Sequence, residues 1–281
     1  MEQQLQEISE KQKASWNKFS PGWKKWDDVL MEFLKPMGEE IISLLNLKGT
    51  DHVLDIAAGT GEPGLSIALR VKDGKVVLTD LADGMLGIAR EHAANRGIRN
   101  VEFLSCDVCA LPFPDNTFDA ISCRFGFMFF PDMLLAAKEI FRVLKPCGRI
   151  ATSVWGAPEK NFWVTAMGGI IQKNMLLPEA PPDAPGMFRC AKSGFVESFL
   201  YQAGFKNISE KEVNGKLECG TAEVYWTMTT EIAAPFVAAL SKGDAATQEK
   251  IRDEVLSLIN QKYPEGNIII DGSSLVIYGE K

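Results

Sequence analysis

The stretch HVLDIAAGTGEPG, residues 52–64, places an apolar run directly before a glycine-rich loop. The apolar run predicts a buried strand, and Gly59, Gly61 and Gly64 follow it at the spacing G-x-G-x-x-G. A strand, a glycine-rich turn and a helix in this order are typical of α/β sheets that bind an adenosine-containing ligand beyond the first strand. The stretch predicts such a sheet and leaves open which ligand of that class it binds.

Four more apolar runs continue the pattern to about residue 155: KVVLTD, VEFLSCD, FDAISCRF and RIATSVW. Helical patterns separate most of them, and this alternation predicts a parallel sheet with crossover helices. Beyond it the chain is rich in Pro and Gly, and then predicts a helix in SGFVESFLYQAGF and strands in NISEKEV and SSLVIYGE. A mostly helical stretch, from about residue 221 to 262, lies between these two strands.

We predict a single domain over residues 1–281 with three parts. Residues 1–50 are expected to form a helical lid, residues 51–155 the cofactor-binding core, and residues 156–281 the substrate-side insertions and terminal strands. Aromatic and leucine side chains recur at helical spacing between Trp16 and Phe33, although Pro21 should break that helix.

Composition and charge exclude several functions. The formal net charge is −7, and no basic run could follow a phosphate backbone, so nucleic acid is not expected as a partner. No stretch of about 18 apolar residues predicts membrane insertion, and the charged N-terminal sequence lacks the apolar centre of a signal peptide, which predicts a cytoplasmic protein. Among the six cysteines, Cys106 and Cys109 form a C-x-x-C without a second pair, so no metal site is expected.

Carboxylates stand at the ends of the first three predicted strands: Asp55, Asp80 and Asp107. Asp80 suits a ribose hydroxyl of NAD or of any other adenosine ligand. Asp55 and Glu62 add negative charge beside the helix N-terminus, where a pyrophosphate would be repelled and an ammonium and a sulfonium attracted. S-Adenosylmethionine carries both cations next to an adenosine, so the sequence favours it over NAD and places Asp107 to accept from the adenine amino group.

Four segments in order resemble the class I S-adenosylmethionine-dependent methyltransferases: VLDIAAGTGEPG, VVLTDLADGML, VEFLSCDVCALPFPDNTFDAISCRFGFMFFPD and VLKPCGRI. Within that superfamily they are most similar to the small-molecule enzymes that include the quinone C-methyltransferases. The resemblance implies an α/β, Rossmann-like, seven-stranded and mostly parallel sheet with helices on both faces, an antiparallel last strand, and helical lid segments. It also implies S-adenosyl-L-methionine as the cofactor.

The same resemblance assigns cofactor contacts residue by residue. They are Asp55, Ala57, Gly59 and Gly61 on the methionine side, Asp80 at the ribose hydroxyls, Leu81 and Met85 against the adenine, Asp107 and Val108 flanking the adenine, and Arg124 near the methionine carboxylate.

Two residues depart from the common family pattern. Ala57 stands where the family often has glycine, which its methyl group permits if the backbone keeps a negative φ. Cys147 replaces a glycine of the usual KPGG turn, so either that turn is type I or the residue is mildly strained.

An acceptor wall is predicted from aromatic side chains beside the fourth and fifth strands and in the lid: Trp16, Phe127, Phe130, Trp155 and Trp163. Such a wall favours a small apolar or aromatic molecule. Methyl transfer from a sulfonium is an in-line displacement that needs alignment and exclusion of water, and no general base is visible. The catalytic residues, the methylated atom and the oligomeric state stay open, as does the alternative of a cofactor-binding relative without transfer activity.

Overall fold

A computed structural model describes residues 2–175, 181 and 184–281. Its single sheet has seven strands: β1 (His52–Ile56), β2 (Lys75–Asp80), β3 (Val101–Ser105), β4 (Phe118–Arg124), β5 (Leu144–Trp155), β6 (Lys206–Gly220) and β7 (Ile268–Glu280). Ten helices accompany them in the described part of the chain: α1 (Glu2–Lys25), α2 (Asp27–Leu45), α3 (Gly64–Ala68), α4 (Asp83–Asn95), α5 (Met133–Val143), α6 (Phe162–Asn174), α7 (Phe195–Ala203), α8 (Ala222–Ile232), α9 (Ala234–Leu240) and α10 (Ala245–Lys262).

The strand order is β3-β2-β1-β4-β5-β7-β6. Strands β1 to β5 run parallel, whereas β7 is antiparallel to both of its neighbours, β5 and β6. The expected mostly parallel sheet with an antiparallel last strand is therefore confirmed. The order reverses between β1 and β4, and ligands of such sheets bind beyond the carboxyl ends of the strands at this point.

Alternate side chains of the strands enter two hydrophobic cores, one on each face of the sheet. In β1, Leu54 and Ile56 belong to the core that also takes residues of α5, α6, α8 and α10, while Val53 joins the core shared with α2 and α3. Helices thus cover both faces, and the functional groups at the strand ends stand on a rigid base.

Helix α1 continues through Pro21, contrary to the expectation that proline would break it. Proline has no N–H, so the carbonyl of Asn17 loses its usual helical donor. The hydroxyl of Ser20 donates to that carbonyl instead, at 2.9 Å. The helical run ends only at Lys25, before α2 begins at Asp27.

Two non-glycine residues that replace family glycines have left-handed backbones. Ala57 has φ +54°, so the expected negative φ was wrong, and the chain turns there so that the next N–H, of Ala58, donates to the Thr79 carbonyl at 2.9 Å. Cys147 has φ +63°, which is the strained alternative for the KPCG segment, now part of β5. Both residues carry the steric cost of a Cβ in this region.

Candidate active site

One cavity of about 450 Å³ opens at the carboxyl ends of the parallel strands. One end is formed by residues that follow β1, β2 and β3, including Gly59, Asp80 and Asp107. The other end is formed by aromatic side chains, including Trp155 and Trp163. The predicted cofactor residues and the predicted acceptor wall thus meet in a continuous space.

Asp80, the last residue of β2, lines the first end of the cavity. Its Oδ2 accepts from the N–H of Gly59 at 2.9 Å, and its Oδ1 accepts from the N–H of Ala82 at 2.8 Å. Burial raises the pKa of Asp80, and these two hydrogen bonds oppose that rise. Each oxygen has a second lone pair, so the carboxylate can accept further hydrogen bonds from a ligand in the cavity.

Asp107 follows β3 and lies at the same end. Its Oδ1 accepts from the N–H of Cys109 at 2.8 Å, and its Oδ2 accepts from the hydroxyl of Ser9 at 2.6 Å. Ser9 belongs to α1, so the first helix reaches across the cavity to this carboxylate. Four further predicted residues also line this end: Ala57, Leu81, Met85 and Val108.

Asp55 and Gly61 lie outside the lining of the cavity, although the resemblance placed them against the cofactor. Asp55 is fully buried; its Oδ1 accepts from the hydroxyl of Ser122 at 2.5 Å and its Oδ2 from the N–H of Gly64 at 3.0 Å. Gly61 has φ +115°, and a Cβ there would lie 2.7 Å from Cδ1 of Leu65. The structure thus shows both residues shaping the glycine-rich loop from behind.

Asp55 should make folding stability depend on pH. Burial raises its pKa to about 7, so the folded state holds this proton more tightly than the unfolded chain does. The stability that the protonated Asp55 carboxyl contributes to the folded state is therefore lost as pH rises from about 4 through about 7. We expect Asp55→Asn, which keeps an acceptor for Gly64 and a partner for Ser122, to gain about 2–4 kcal/mol of unfolding free energy relative to wild type between these pH values.

Urea unfolding of both proteins at pH 4.5 and pH 8 measures this difference. Parallel changes in the unfolding free energies of the wild type and of Asp55→Asn would show that the carboxyl group does not titrate in this range.

Arg124, at the end of β4, contributes a positive charge to the lining of the cavity. Its guanidinium donates to the carbonyl of Leu34 at 3.5 Å and to the sulfur of Met31 at 3.1 Å. No carboxylate of the described chain lies within 4 Å of it, and burial lowers its pKa. A desolvated cation with such weak partners is suited to bind an anionic group of a ligand.

Sequence reasoning gave no role to a pair that supports the glycine-rich loop, Asp27 and His92. Nδ1 of His92 lies 3.0 Å from the carbonyl oxygen of Thr60, and Nε2 lies 3.8 Å from Oδ2 of Asp27. Burial raises the pKa of Asp27, whose Oδ1 is buried without a hydrogen-bond partner among the described residues. The pair is 65 positions apart in sequence, so no local spacing could have indicated it.

The other end of the cavity contains a stack of aromatic rings around Trp155. Phe125 stacks on Trp155 with centroids 4.1 Å apart at 18°, and Phe33 stacks on it at 5.7 Å and 22°. Trp163 lies 4.9 Å from Trp155, centroid to centroid. Trp16 of α1 meets the edge of Phe129 at 5.3 Å.

Four of the five predicted acceptor residues line this end, namely Trp16, Phe130, Trp155 and Trp163. Phe127 does not, because it is fully buried in the core beside Phe130. The alternation of inward and outward rings in the short helical turn after β4 is set by tertiary packing and not by the sequence pattern. Phe125 and Phe129 face the cavity from this segment instead.

Phe125 has φ +59°, a backbone conformation that costs a bulky side chain about 1–3 kcal/mol. Its N–H donates to the carbonyl of Ser153 at 2.9 Å, which fixes the chain at this point. The next residue, Gly126, has no room for a side chain, since a Cβ would lie 2.6 Å from the sulfur of Cys123. The hydrogen bond and the close packing of Gly126 therefore maintain the strained backbone, which places the Phe125 ring on Trp155, against the cavity.

Asn161 is a fully buried residue that orients Trp163. Its Oδ1 accepts from the indole N–H of Trp163 at 3.2 Å and from the N–H of Ser273 at 3.1 Å. Its Nδ2 donates to the carbonyls of Gly156, Ala157 and Ser273 at 3.0–3.3 Å. This one amide joins the end of β5, the start of α6 and β7 behind the acceptor wall.

Ionisable groups in the lining are confined to the strand ends and the loops that follow them: Glu62, Asp80, Cys106, Asp107 and Arg124. Burial raises the pKa of Cys106 to about 11, so its thiol stays protonated. Within residues 2–175, 181 and 184–281, no His, Lys or Tyr lines the cavity. The aromatic end thus offers rings and a dry surface, without a general base from the described residues.

The described residues contain no cluster of three or more His, Cys, Asp or Glu that could hold a metal ion. None of the helices in these residues is both long and apolar enough to span a lipid bilayer.

The fold and the cavity define an S-adenosylmethionine-dependent methyltransferase that acts on a small molecule. The family model for the ubiE/COQ5 methyltransferase family matches residues 24–167, and the chain belongs to this family. The resemblance that the sequence motifs indicated is thereby confirmed, with S-adenosylmethionine as the cofactor.

Curated relatives and a solved structure agree with this assignment. A demethylmenaquinone methyltransferase of Thermus thermophilus is 34% identical over 169 residues, or 56% of this chain and 76% of that protein. The ubiquinone/menaquinone biosynthesis C-methyltransferase UbiE of a Marinomonas species is 41% identical over 43% of this chain, which spans only 49% of that relative. The YcgJ protein of Bacillus subtilis shares the fold, with a TM-score of 0.59, 20% identity, and coverage of 87% of this chain and 97% of that one.

Proposed function

We propose that the cavity binds S-adenosylmethionine beyond β1–β3 and a flat, apolar, ring-containing acceptor against Trp155 and Trp163. The observation that carries this proposal is the continuity of the cavity, which joins the acidic strand ends to the aromatic stack. A methyl transfer needs the two reactants in one water-poor space, and this cavity provides it.

The groups at the strand ends fit the cofactor. Asp80 has unused lone pairs for ribose hydroxyls, and Asp107 has them for the adenine amino group. Arg124, whose guanidinium donates to the Leu34 carbonyl and the Met31 sulfur and has no carboxylate of the described residues within 4 Å, suits the methionine carboxylate. Gly59 has φ +55°, a left-handed backbone conformation that glycine adopts without a steric cost.

When bound, S-adenosylmethionine supplies a methyl group on a positively charged sulfur, open to in-line displacement. The protein's own residues bind and orient: Asp80, Asp107 and Arg124 fix the two ends of the cofactor. Asp55 acts from behind the loop, where its Oδ2 accepts from the N–H of Gly64 and so holds the loop. The aromatic stack aligns the acceptor ring and excludes water.

Part of the acceptor wall lies outside the residues that the family model matches. The family match covers residues 24–167, whereas Trp16 and the segments around Met187 and Pro235 that line the aromatic end lie outside it. The cofactor end, by contrast, lies mostly within the match. We infer that the cofactor is shared with the relatives and that the acceptor is an apolar ring related to their quinones.

The described part of the aromatic end has no general base, which favours an acceptor whose reacting group ionises without one. An acidic phenol, an enol or a thiolate has this property. Among these, a reduced quinone ring is the first acceptor to test, because the named relatives act in menaquinone and ubiquinone synthesis.

The test supplies labelled-methyl S-adenosylmethionine with two acceptor sources, a reduced 1,4-naphthoquinone and an extract of the source organism. Products are separated by size and identified by mass spectrometry. We expect label in a small apolar compound, with Trp163→Ala raising KM for it about tenfold or more through loss of ring contact. Trp226→Ala, which removes a partly buried tryptophan that does not line the cavity, is the matched control.

Label found only in macromolecules would contradict the small-molecule acceptor. Unlabelled products together with intact S-adenosylhomocysteine binding would support the alternative of a cofactor-binding protein without transfer activity.

A further inference from the structure

Helix α1 lies along the whole cavity with one face toward it. The lining residues on that face are Ser9, Gln12, Ser15, Trp16, Phe19 and Trp23. The face is polar at Ser9 and Gln12, where it meets Asp107, and aromatic from Trp16 onward, where it meets Phe129. A single helix therefore covers both the cofactor end and the acceptor end.

The C-terminal part of α1 is held firmly by α8. The backbone of Gly22 packs so closely that a Cβ there would lie 2.1 Å from the carbonyl oxygen of Glu231. The indole N–H of Trp23 donates to the carbonyl of Ile232 at 3.3 Å, and that of Trp26 donates to Oε2 of Glu231 at 2.6 Å. These contacts anchor the chain from Gly22 onward.

Three polar contacts and the ring contact between Trp16 and Phe129 hold the N-terminal part of α1. Oδ1 of Asn17 accepts from the N–H of Gly84 at 2.8 Å, and Lys13 pairs with the exposed Asp83 at 3.2 Å. Exposed ion pairs of this kind contribute little. The hydroxyl of Ser9 makes the third polar contact, at 2.6 Å, with the half-buried carboxylate of Asp107. A hydrogen bond to a charged, partly desolvated acceptor is the strongest of the three.

A weak point of the helix separates these two parts. At Pro21 the backbone hydrogen bond to the Asn17 carbonyl is missing, and the Ser20 hydroxyl takes its place at 2.9 Å. Helices bend most readily where proline removes a backbone bond.

We propose that residues 2–19 form a lid over the cofactor, hinged at Ser20 and Pro21 and latched by the hydrogen bond from Ser9 to Asp107. This rests on the proposed binding of the cofactor at Asp80 and Asp107. Ser9 is a positioning residue: it fixes one oxygen of Asp107 so that the remaining lone pairs face the adenine amino group. Gln12, one turn further, is a second polar side chain that the lid brings to the cofactor end.

The lid predicts opposite effects for two substitutions on the release of S-adenosylhomocysteine. Ser9→Ala removes the latch and should release the product about tenfold faster, while Ser9→Thr keeps the hydroxyl and should stay near wild type. Pro21→Ala restores the missing N–H, stiffens the hinge and should slow release severalfold. The measurement is the dissociation rate of labelled S-adenosylhomocysteine chased with excess unlabelled S-adenosylmethionine.

A second readout separates a lid from a local effect on Asp107. Backbone amides of residues 2–19 should exchange hydrogen faster in Ser9→Ala and more slowly in Pro21→Ala. Ser198→Ala is the control, because that hydroxyl donates at 2.6 Å to the Phe195 carbonyl within α7, outside the cavity lining, and should change neither quantity.

Release from Ser9→Ala at the wild-type rate would overturn the latch. Weaker binding with unchanged amide exchange would also overturn it, since Ser9 would then act on Asp107 alone. A release rate for Pro21→Ala equal to that of wild type would overturn the hinge. Failure of the wild-type protein to bind S-adenosylhomocysteine at all would instead contradict the proposed function.

Discussion

Replacing Asp80 with alanine should weaken binding of S-adenosylhomocysteine by about 1–3 kcal/mol, or roughly 5- to 150-fold. The substitution removes a charged acceptor from the proposed ribose site. It also leaves the N–H groups of Gly59 and Ala82 without the carboxylate that they bond at 2.9 and 2.8 Å. Because Gly59 belongs to the cofactor loop, lost loop order adds to the lost ligand contact. We therefore expect the upper part of this range, measured by isothermal titration calorimetry.

Asp83→Ala is the matched control for charge and position. Asp83 lies three residues further on, is the first residue of α4, and does not line the cavity. Its side chain is 62% exposed and forms an ion pair with Lys13, so affinity should stay within about twofold of wild type. Equal losses in both variants would mean that general charge, and not the geometry of Asp80, governs binding.

Replacing Asn161 with alanine should lower the free energy of unfolding by about 2–4 kcal/mol. The amide of the fully buried Asn161 bonds to three carbonyls, to a backbone N–H and to the indole N–H of Trp163. Two of these carbonyls, those of Ala157 and Ser273, also accept from backbone N–H groups. Truncation leaves several of these groups buried without partners, which is the costly case for hydrogen bonds. Urea denaturation measures the loss.

Asn174→Ala tests whether that cost comes from burial. Asn174 also donates from its amide, to the Ile170 carbonyl at 3.0 Å and to Glu254 at 3.1 Å, but water can replace these bonds at its partly exposed site. A loss below about 1 kcal/mol is expected there. Comparable losses in the two variants would contradict the role of Asn161 as a buried support.

Most of the sheet could be predicted from the sequence because β1–β4 are short, apolar and separated by turn signals. The first four runs coincide with β1–β4, the fifth lies within β5, which also includes the KPCG segment expected as a turn, and the two later runs lie within β6 and β7. The course of α1 could not be predicted from proline alone, since one hydroxyl, that of Ser20, replaces the lost donor.

The sequence indicated the residues around the cofactor end of the cavity, but it indicated only partly which way their side chains point. Asp55 precedes the last residue of β1 and lies on the same side as Val53, so strand alternation directs its side chain toward the face covered by α2 and α3 and not into the cavity. This alternation can be read from the sequence, and it indicates the direction of the Asp55 side chain better than the position of Asp55 near a strand end does.

Contacts between distant segments gave no such signal. His92 and Asp27 meet beneath the loop only after α2 and α4 have packed, and the inward rings of Phe125 and Phe129 depend on a positive φ and a single helical turn. These features arise from tertiary structure and have no periodicity of their own.

Strand β6, at one edge of the sheet, bears on how copies of the protein associate. Its outer backbone groups have no neighbouring strand, and such an edge is a template for sheet extension between molecules. Within its residues Lys206–Gly220 it carries six charged side chains: Lys206, Glu210, Lys211, Glu212, Lys216 and Glu218. Bringing two such edges together would desolvate these charges, so the charged side chains of β6 oppose edge-to-edge pairing of this strand.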